Sequence, residues 1–225
     1  MIKFNEIIKH LLFCSIFILA PTAQQTSPPD RLSGLVEKLN TYQAYSLTFK
    51  QANQHMSTGM EKKAEGLLFI QKPDRFEWIY SSEPQNKIIC DGYHIMMLLP
   101  DTQQAMIDKS AEHAVIWSPL AILTPSNLNT HFRVVLLDNS DFSSRYRLYP
   151  LRNDQPYEYV EVIIYEASAE KFFSLVIMDL AGSVNTLDFG ALVISEEPKL
   201  IVLPPVPDNF DVTDFYGNPQ NFSIF

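Results

Sequence analysis

With 225 residues, 46% apolar and 12% aromatic, the chain has the material for a large core, and this composition is not that of a disordered chain. Its net charge of −9 argues against a nucleic-acid backbone as partner, and only seven glycines are available, none arranged as a phosphate-cradling loop. The length suits one domain or at most two.

The first residues read as an export signal. Lys3 and Lys9 make a positive start, Leu11 to Ala20 is a short apolar run, and Ala23 offers a small residue for cleavage. Residues 1–23 are therefore expected to be a signal peptide. The run is too short to span a bilayer well, which sets an uncleaved anchor second. A lipidated Cys14 is the third reading. Bulky Phe13 before it and the apolar run after it, Ile16 to Ala20, speak against that. Cleavage leaves Cys90 as the one cysteine, so no disulfide framework is expected, and Cys90 reads as a small buried apolar residue.

Residues 24–29 are polar and proline-bearing and read as a disordered lead. Residues 30–225 read as one domain, since no linker interrupts them. From Asp30, apolar residues fall at Leu32, Leu35, Val36, Leu39 and Tyr42, the spacing of a helix packed on a core, with Asp30 placed to cap it. The period then changes to two through Tyr45, Leu47 and Phe49, a half-buried strand. Asn53 to Lys63 is polar and reads as an exposed hairpin loop.

Leu67 to Ile70 is a continuous apolar run, expected to be a strand covered on both faces. Pro73 stops it, and Asp74 turns the chain. Phe76, Trp78 and Tyr80 then stand on one face of the next strand. Lys87 to Cys90 and Tyr93 to Leu99 are joined by Asp91-Gly92, a hairpin signal. Gln103 to Asp108 is a further strand candidate.

At Ser118-Pro119 a helix is expected to open, with Ser118 as cap and Pro119 in the first position. Leu120, Ile122 and Leu123 crowd one short turn that must be buried, and Pro125 is read as ending it. Strands resume over 131–138, 144–149, 158–166, 171–179, 184–189 and 199–203, giving roughly eleven by these signals. Several are apolar on both faces: Val160, Val162 and Ile164 oppose Tyr159, Ile163 and Tyr165, with Glu161 the one charge. A two-sheet sandwich satisfies this pattern. So does a half-closed barrel wrapped around helices.

No catalytic constellation stands out. The five histidines have no metal-ligand spacing, and no H-E-x-x-H or G-x-S-x-G occurs. Glu196-Glu197 reads as a solvated turn. No catalytic residue, metal or cofactor is assigned.

The hairpin around Lys72-Pro73 and Phe76-x-Trp78, with Gly66 ahead of it, resembles the LolA family, periplasmic carriers of outer-membrane lipoproteins. So do Lys87-Ile-Ile-Cys-Asp-Gly92, Gln103-Gln104-Ala105, Ser118-Pro119 and Leu203-Pro204-Pro205, in the same order. The resemblance implies a mainly β fold, a half-open antiparallel β-barrel covered by helices, with Leu120, Ile122 and Leu123 in the lid. It implies a monomeric, periplasmic, non-enzymatic carrier. Acylated lipoproteins would be loaded by an ABC transporter of the LolCDE type in the inner membrane and passed to an outer-membrane receptor of the LolB type. A binder of other lipids on the same fold is the alternative.

A carrier of acyl chains needs wide apolar walls. The candidates are Leu68, Ile70, Phe76, Trp78, Ile89, Met96, Leu98, Ile163 and Met178. Phe76 sits either in the wall or at the rim. The resemblance makes Lys72 a lid latch in a place where the family typically has arginine. A solvated rim lysine is the other reading.

Overall fold

The computed structural model describes residues 30–81, 85–109, 119–153, 155–166, 168, 170–197 and 199–219. The signal peptide, the polar lead and the Ser118 cap lie outside them. Helix α1 (Asp30–Thr41) buries Leu32, Leu35, Val36 and Leu39, the stripe that its spacing predicts.

Twelve strands follow: β1 (Ala44–Gln54), β2 (Glu61–Gln71), β3 (Arg75–Tyr80), β4 (Lys87–Asp91), β5 (His94–Leu99), β6 (Gln104–Lys109), β7 (Phe132–Asn139), β8 (Ser143–Pro150), β9 (Tyr157–Tyr165), β10 (Phe173–Asp179), β11 (Val184–Ile194) and β12 (Asp211–Thr213). Between β6 and β7 lie a 3-10 turn (Pro119–Leu123) and helix α2 (Pro125–His131).

All twelve strands belong to one open sheet, in the order β12-β6-β5-β4-β3-β2-β1-β11-β10-β9-β8-β7. Two antiparallel meanders, β1 to β6 and β7 to β11, meet where β1 pairs with β11. β12 and β7 are the edges. The expected half-open, helix-covered β architecture is what the chain forms, with one parallel pair, β12 on β6, at one edge.

Three local expectations change, and one strand is added. Asn53 to Lys63 is an exposed hairpin turn only over residues 55–60, because β1 runs on to Gln54 and β2 begins at Glu61. Pro125 opens a helix instead of ending one: Thr124 Oγ1 accepts from Asn127 N at 3.2 Å, and a proline at the first position loses no hydrogen bond. Residues 199–203 pair with no strand. β12, only three residues long, carries too little pattern to be read from the chain.

Strand register sorts the side chains into two faces. On the face beneath the helices, Phe173 pairs with Phe189, Phe189 with Phe49, Phe49 with Gly66, and Gly66 with Tyr80. Gly66 leaves room for the Phe49 ring, whose centroid lies 4.8 Å from that of Trp78 and 5.2 Å from that of Tyr80. This inner face and the helices form the main core.

The outer face resolves the double-faced strands in two ways. Over β4, β5 and β6, Ile89, Met96 and Ile107 are roofed by Ile201 and Leu203 from the segment after β11. Arg75 Nη1 donates to Ile201 O at 3.0 Å, and Lys199 pairs with Glu77, which straps that segment down. Over β8 and β9 the cover is ionic and aromatic. Glu161, 5% exposed, accepts from Arg147 Nε at 2.9 Å and faces Arg145 at 3.4 Å. Arg147 lies over the Tyr159 ring at 4.2 Å and Arg133 over Tyr149 at 4.4 Å. Leu67, expected to be covered, points outward and is 39% exposed.

Candidate ligand cavity

Between the inner face and its helical cover lies a cavity of about 670 Å³, inside the range of roughly 300–1,000 Å³ typical of ligand clefts. Ile70 and Phe76 supply its floor, from β2 and β3. Leu39 closes it from α1, and Leu120 and Leu123 from the 3-10 turn. The local sequence accounts for each. Register places Ile70 opposite Phe76, so both point inward together. The crowded Leu120-Ala-Ile-Leu123 run is apolar all round and can satisfy itself only as a buried plug. Leu120, Ile122 and Leu123 are each under 7% exposed.

A side chain of α1 bonds to the cover. Asn40 Nδ2 donates to Leu123 O at 3.0 Å and to Val36 O at 2.7 Å. Within the cover, Asn127 Nδ2 donates to Ala121 O at 2.6 Å. The polar groups along this side of the cavity are thus engaged with backbone.

The nine proposed wall residues divide between the two faces. Leu68, Ile70, Phe76 and Trp78 are inward, and Ile70 and Phe76 line the cavity itself. Phe76 is therefore wall and not rim. Trp78 is buried in the main core, and its Nε1 has no hydrogen-bond partner among the described residues. Ile89, Met96 and Leu98 belong to the second cluster, under the strap. Ile163 pairs with Arg145 and Ser174, and Met178 with Tyr159 and Val184, all outward. Period two puts Ile163 on the face of Glu161 and Met178 on the face of Ser174, so neither reaches the cavity.

Lys72 stands at the mouth, in the turn between β2 and β3. Its N–H donates to Gln43 O at 2.9 Å, and Gln43 Nε2 donates to Lys72 O at 2.8 Å, while the Lys72-Pro73 peptide is cis. Its ammonium is shielded from solvent and has no hydrogen-bond partner among the described residues. It is neither a solvated rim group nor, in this conformation, bonded to the cover. Burial pushes its pKa below the usual lysine value. Sequence reasoning missed Asn40, whose only signal was its place at the end of the apolar stripe of α1. Cys90 is buried, and its Sγ donates to Asp74 O at 3.1 Å, a packing role. Among the described residues no three His, Cys, Asp or Glu side chains gather as a metal site, and no helix is long and apolar enough to cross a membrane.

An open antiparallel sheet whose apolar inner face is roofed by short helices, with a cavity left between, defines a lidded half-barrel of the ligand-carrying class. The chain belongs to the LolA family: the family described as "Outer membrane lipoprotein carrier protein LolA" matches residues 40–199. It is similar to the outer-membrane lipoprotein carrier protein of Shewanella putrefaciens, at 23% identity over 205 residues, covering 90% of this chain and 95% of that one. It is also similar to the protein of that name from Francisella tularensis subsp. novicida, at 25% identity over 156 residues, covering 68% and 72%. Among solved structures, an uncharacterized conserved protein from Thermus thermophilus shares the fold, with a TM-score of 0.51 and 12% identity over 82% of this chain and 98% of that one.

Proposed function

We propose that the protein is a periplasmic carrier that holds the acyl chains of lipoproteins in the cavity beneath its helical cover. The observation that carries this reading is the cavity between Ile70 and Phe76 on the sheet and Leu120 and Leu123 on the 3-10 turn. Each methylene moved from water into such a wall contributes about 0.8 kcal/mol, so an acyl chain binds with no chemistry asked of the protein. The names of the two bacterial relatives support lipoprotein as the cargo. In this reading an inner-membrane ABC transporter of the LolCDE type supplies the cargo, and an outer-membrane receptor of the LolB type accepts it. The signal read in residues 1–23 would deliver the chain to the periplasm.

Loading requires the cover to lift. Asn40 to Leu123 is one inter-element hydrogen bond, worth on the order of 1 kcal/mol net. Lifting also exposes the now-buried Leu120, Ile122, Leu123 and Leu128, so a partner with differential affinity for the open state, or the incoming acyl chains, must offset on the order of several kcal/mol more.

The test is photocrosslinking in a Gram-negative host with the full chain. A crosslinking residue at Ile70 is expected to trap an acylated lipoprotein, identified by mass spectrometry, while the same residue at Ile163 traps none. Free lipid alone at Ile70 would turn the reading to a general lipid binder. No adduct at Ile70 would remove it.

A further inference from the structure

Most of the polar side chains at the cavity mouth are engaged within the fold. Asn40 and Asn127 donate to backbone carbonyls, and Thr124 Oγ1 accepts from Asn127 N. Arg75 gives Nη1 to Ile201 O. Lys72 is not engaged. It lines the same cavity, and its ammonium is shielded from solvent with no acceptor among the described residues. Asp74 is exposed and gives it no hydrogen bond.

An ammonium carries three N–H donors, and leaving them unanswered away from water is costly. The Lys72 backbone is clamped by Gln43, whose O accepts from Lys72 N and whose Nε2 donates to Lys72 O. The side chain therefore starts from a fixed point at the mouth. Ile70, two residues earlier, pairs with Phe76 to make the floor. An acyl chain lying on that floor has its head beside unsatisfied donors.

What the head presents there follows from its linkage. Acyl chains on a lipoprotein are held by ester or amide bonds, so each chain ends in a carbonyl oxygen and carries no formal charge. A carbonyl accepts and does not donate, the complement of an ammonium. We propose that Lys72 reads the acyl linkage: its ammonium donates to the ester or amide carbonyl at the head of the bound chain, and the cavity prefers acyl over alkyl chains. This rests on the carrier reading and specifies which feature of the cargo is recognised. A hydrogen bond from a charged donor shielded from water is worth about tenfold or more in affinity. The neutral acceptor leaves no ion pair to be broken when the cargo is handed on.

The test measures displacement of diphenylhexatriene, an apolar probe with no acceptor, from the purified full chain. Three lipopeptides sharing one peptide compete: a dipalmitoyl-glyceryl-cysteine diester, its dihexadecyl diether, and that diether with an N-palmitoyl amide. The diester is expected to bind at least about tenfold tighter than the diether. Lys72→Met should bring the diester down to the diether with diether affinity unchanged, and Lys72→Arg should keep the preference. Loss of affinity for the diester in Lys72→Met supports the proposal and names the ester carbonyl; loss for the N-palmitoyl diether supports it and names the amide. The proposal is overturned if the wild type does not distinguish any carbonyl-bearing lipopeptide from the diether, a comparison that needs no variant to fold. It is also overturned if Lys72→Met keeps the preference. If no lipopeptide displaces the probe, the carrier reading itself falls; if all displace it equally, only the role of Lys72 does.

Discussion

Asn40 of the first helix donates from its side-chain amide to the carbonyl of Leu123, 3.0 Å away in the cover, across 83 positions of sequence. The same amide also holds Val36 O at 2.7 Å, so it is oriented by its own helix before it reaches the cover. Asn40 makes a tie between α1 and the cover of the kind that the family resemblance assigns to Lys72. Asn40→Ala should free the cover locally. Amide exchange over Leu120 to Leu128 is expected to quicken several-fold, with global stability down by about 1 kcal/mol. Lys72→Met should leave that exchange unchanged. The reverse pattern, measured by hydrogen-exchange mass spectrometry, would return the latch to Lys72.

Glu161 is the hub of the outer-face cover on β8 and β9. Its carboxylate is buried between Arg147 and Arg145, whose side chains are 29% and 49% exposed. Tyr149 and Glu161 together raise the Arg147 pKa further above its already high value. Removing Arg147 leaves the buried Glu161 carboxylate with only the longer Arg145 contact, so Arg147→Ala is expected to cost about 3 kcal/mol in urea unfolding. Arg145→Ala leaves the Arg147 pair intact at a half-exposed position and should cost under ~1 kcal/mol. Equal losses would mean that the cover is held by its aromatic stacking alone.

Much of this was legible in the chain because the signals were periodic. The stripe of Leu32, Leu35, Val36 and Leu39 has one helical solution, and Phe76, Trp78 and Tyr80 have one face. Where both faces of a strand are apolar, period two separates them without saying which is inside. Ile163 is the instructive case. It lies two residues from Glu161, and a lone charge marks the outer side, so that signal was present. For Ile89 and Met96 no local signal existed, because their cover comes from Ile201 and Leu203, more than a hundred residues downstream. Thr124-Pro125 repeats the cap-then-proline pattern of Ser118-Pro119, and reading Pro125 as a stop hid the start of α2. The ammonium of Lys72 was beyond reach, since burial of a single atom is decided by packing.

Three of the ten tyrosines should titrate late. Burial raises Tyr80 and Tyr157 from 10.0 to about 12, and Tyr45 higher still. Tyr80 also donates its hydroxyl to Gln51 Oε1 at 3.0 Å. The folded state thus favours the protonated phenol. That stability is whole below pH 10.0 and is lost as pH climbs through about 12. Tyrosinate absorbance is expected to rise in two steps, the later one coinciding with unfolding. Tyr80→Phe should make the fall in stability above pH 10.0 shallower. A single step at the ordinary tyrosine value would contradict the burial of these rings.

Gly66 and Gly190 are both close-packed, but against different kinds of neighbour. A methyl at Gly66 would run into the Ile79 carbonyl of the paired strand and lie 2.9 Å from the Phe49 ring edge. A methyl at Gly190 would meet the Thr48 hydroxyl. Backbone cannot step aside without breaking the β2–β3 ladder, whereas a side chain can be changed. Thr48 itself is constrained, because rotating its β-branched side chain swings a methyl into the space the hydroxyl leaves. Serine has no such methyl. Gly66→Ala is therefore expected to destabilise by about 3 kcal/mol or prevent folding, and Thr48→Ser should give it no relief. Gly190→Ala should cost roughly 1–2 kcal/mol, most of it recovered in the Thr48→Ser background, a coupling readable from a double-mutant cycle in urea. Additive behaviour of Gly190→Ala with Thr48→Ser would show that the clash is relieved by backbone movement, and that β1 and β11 are more pliable at their junction than the register implies.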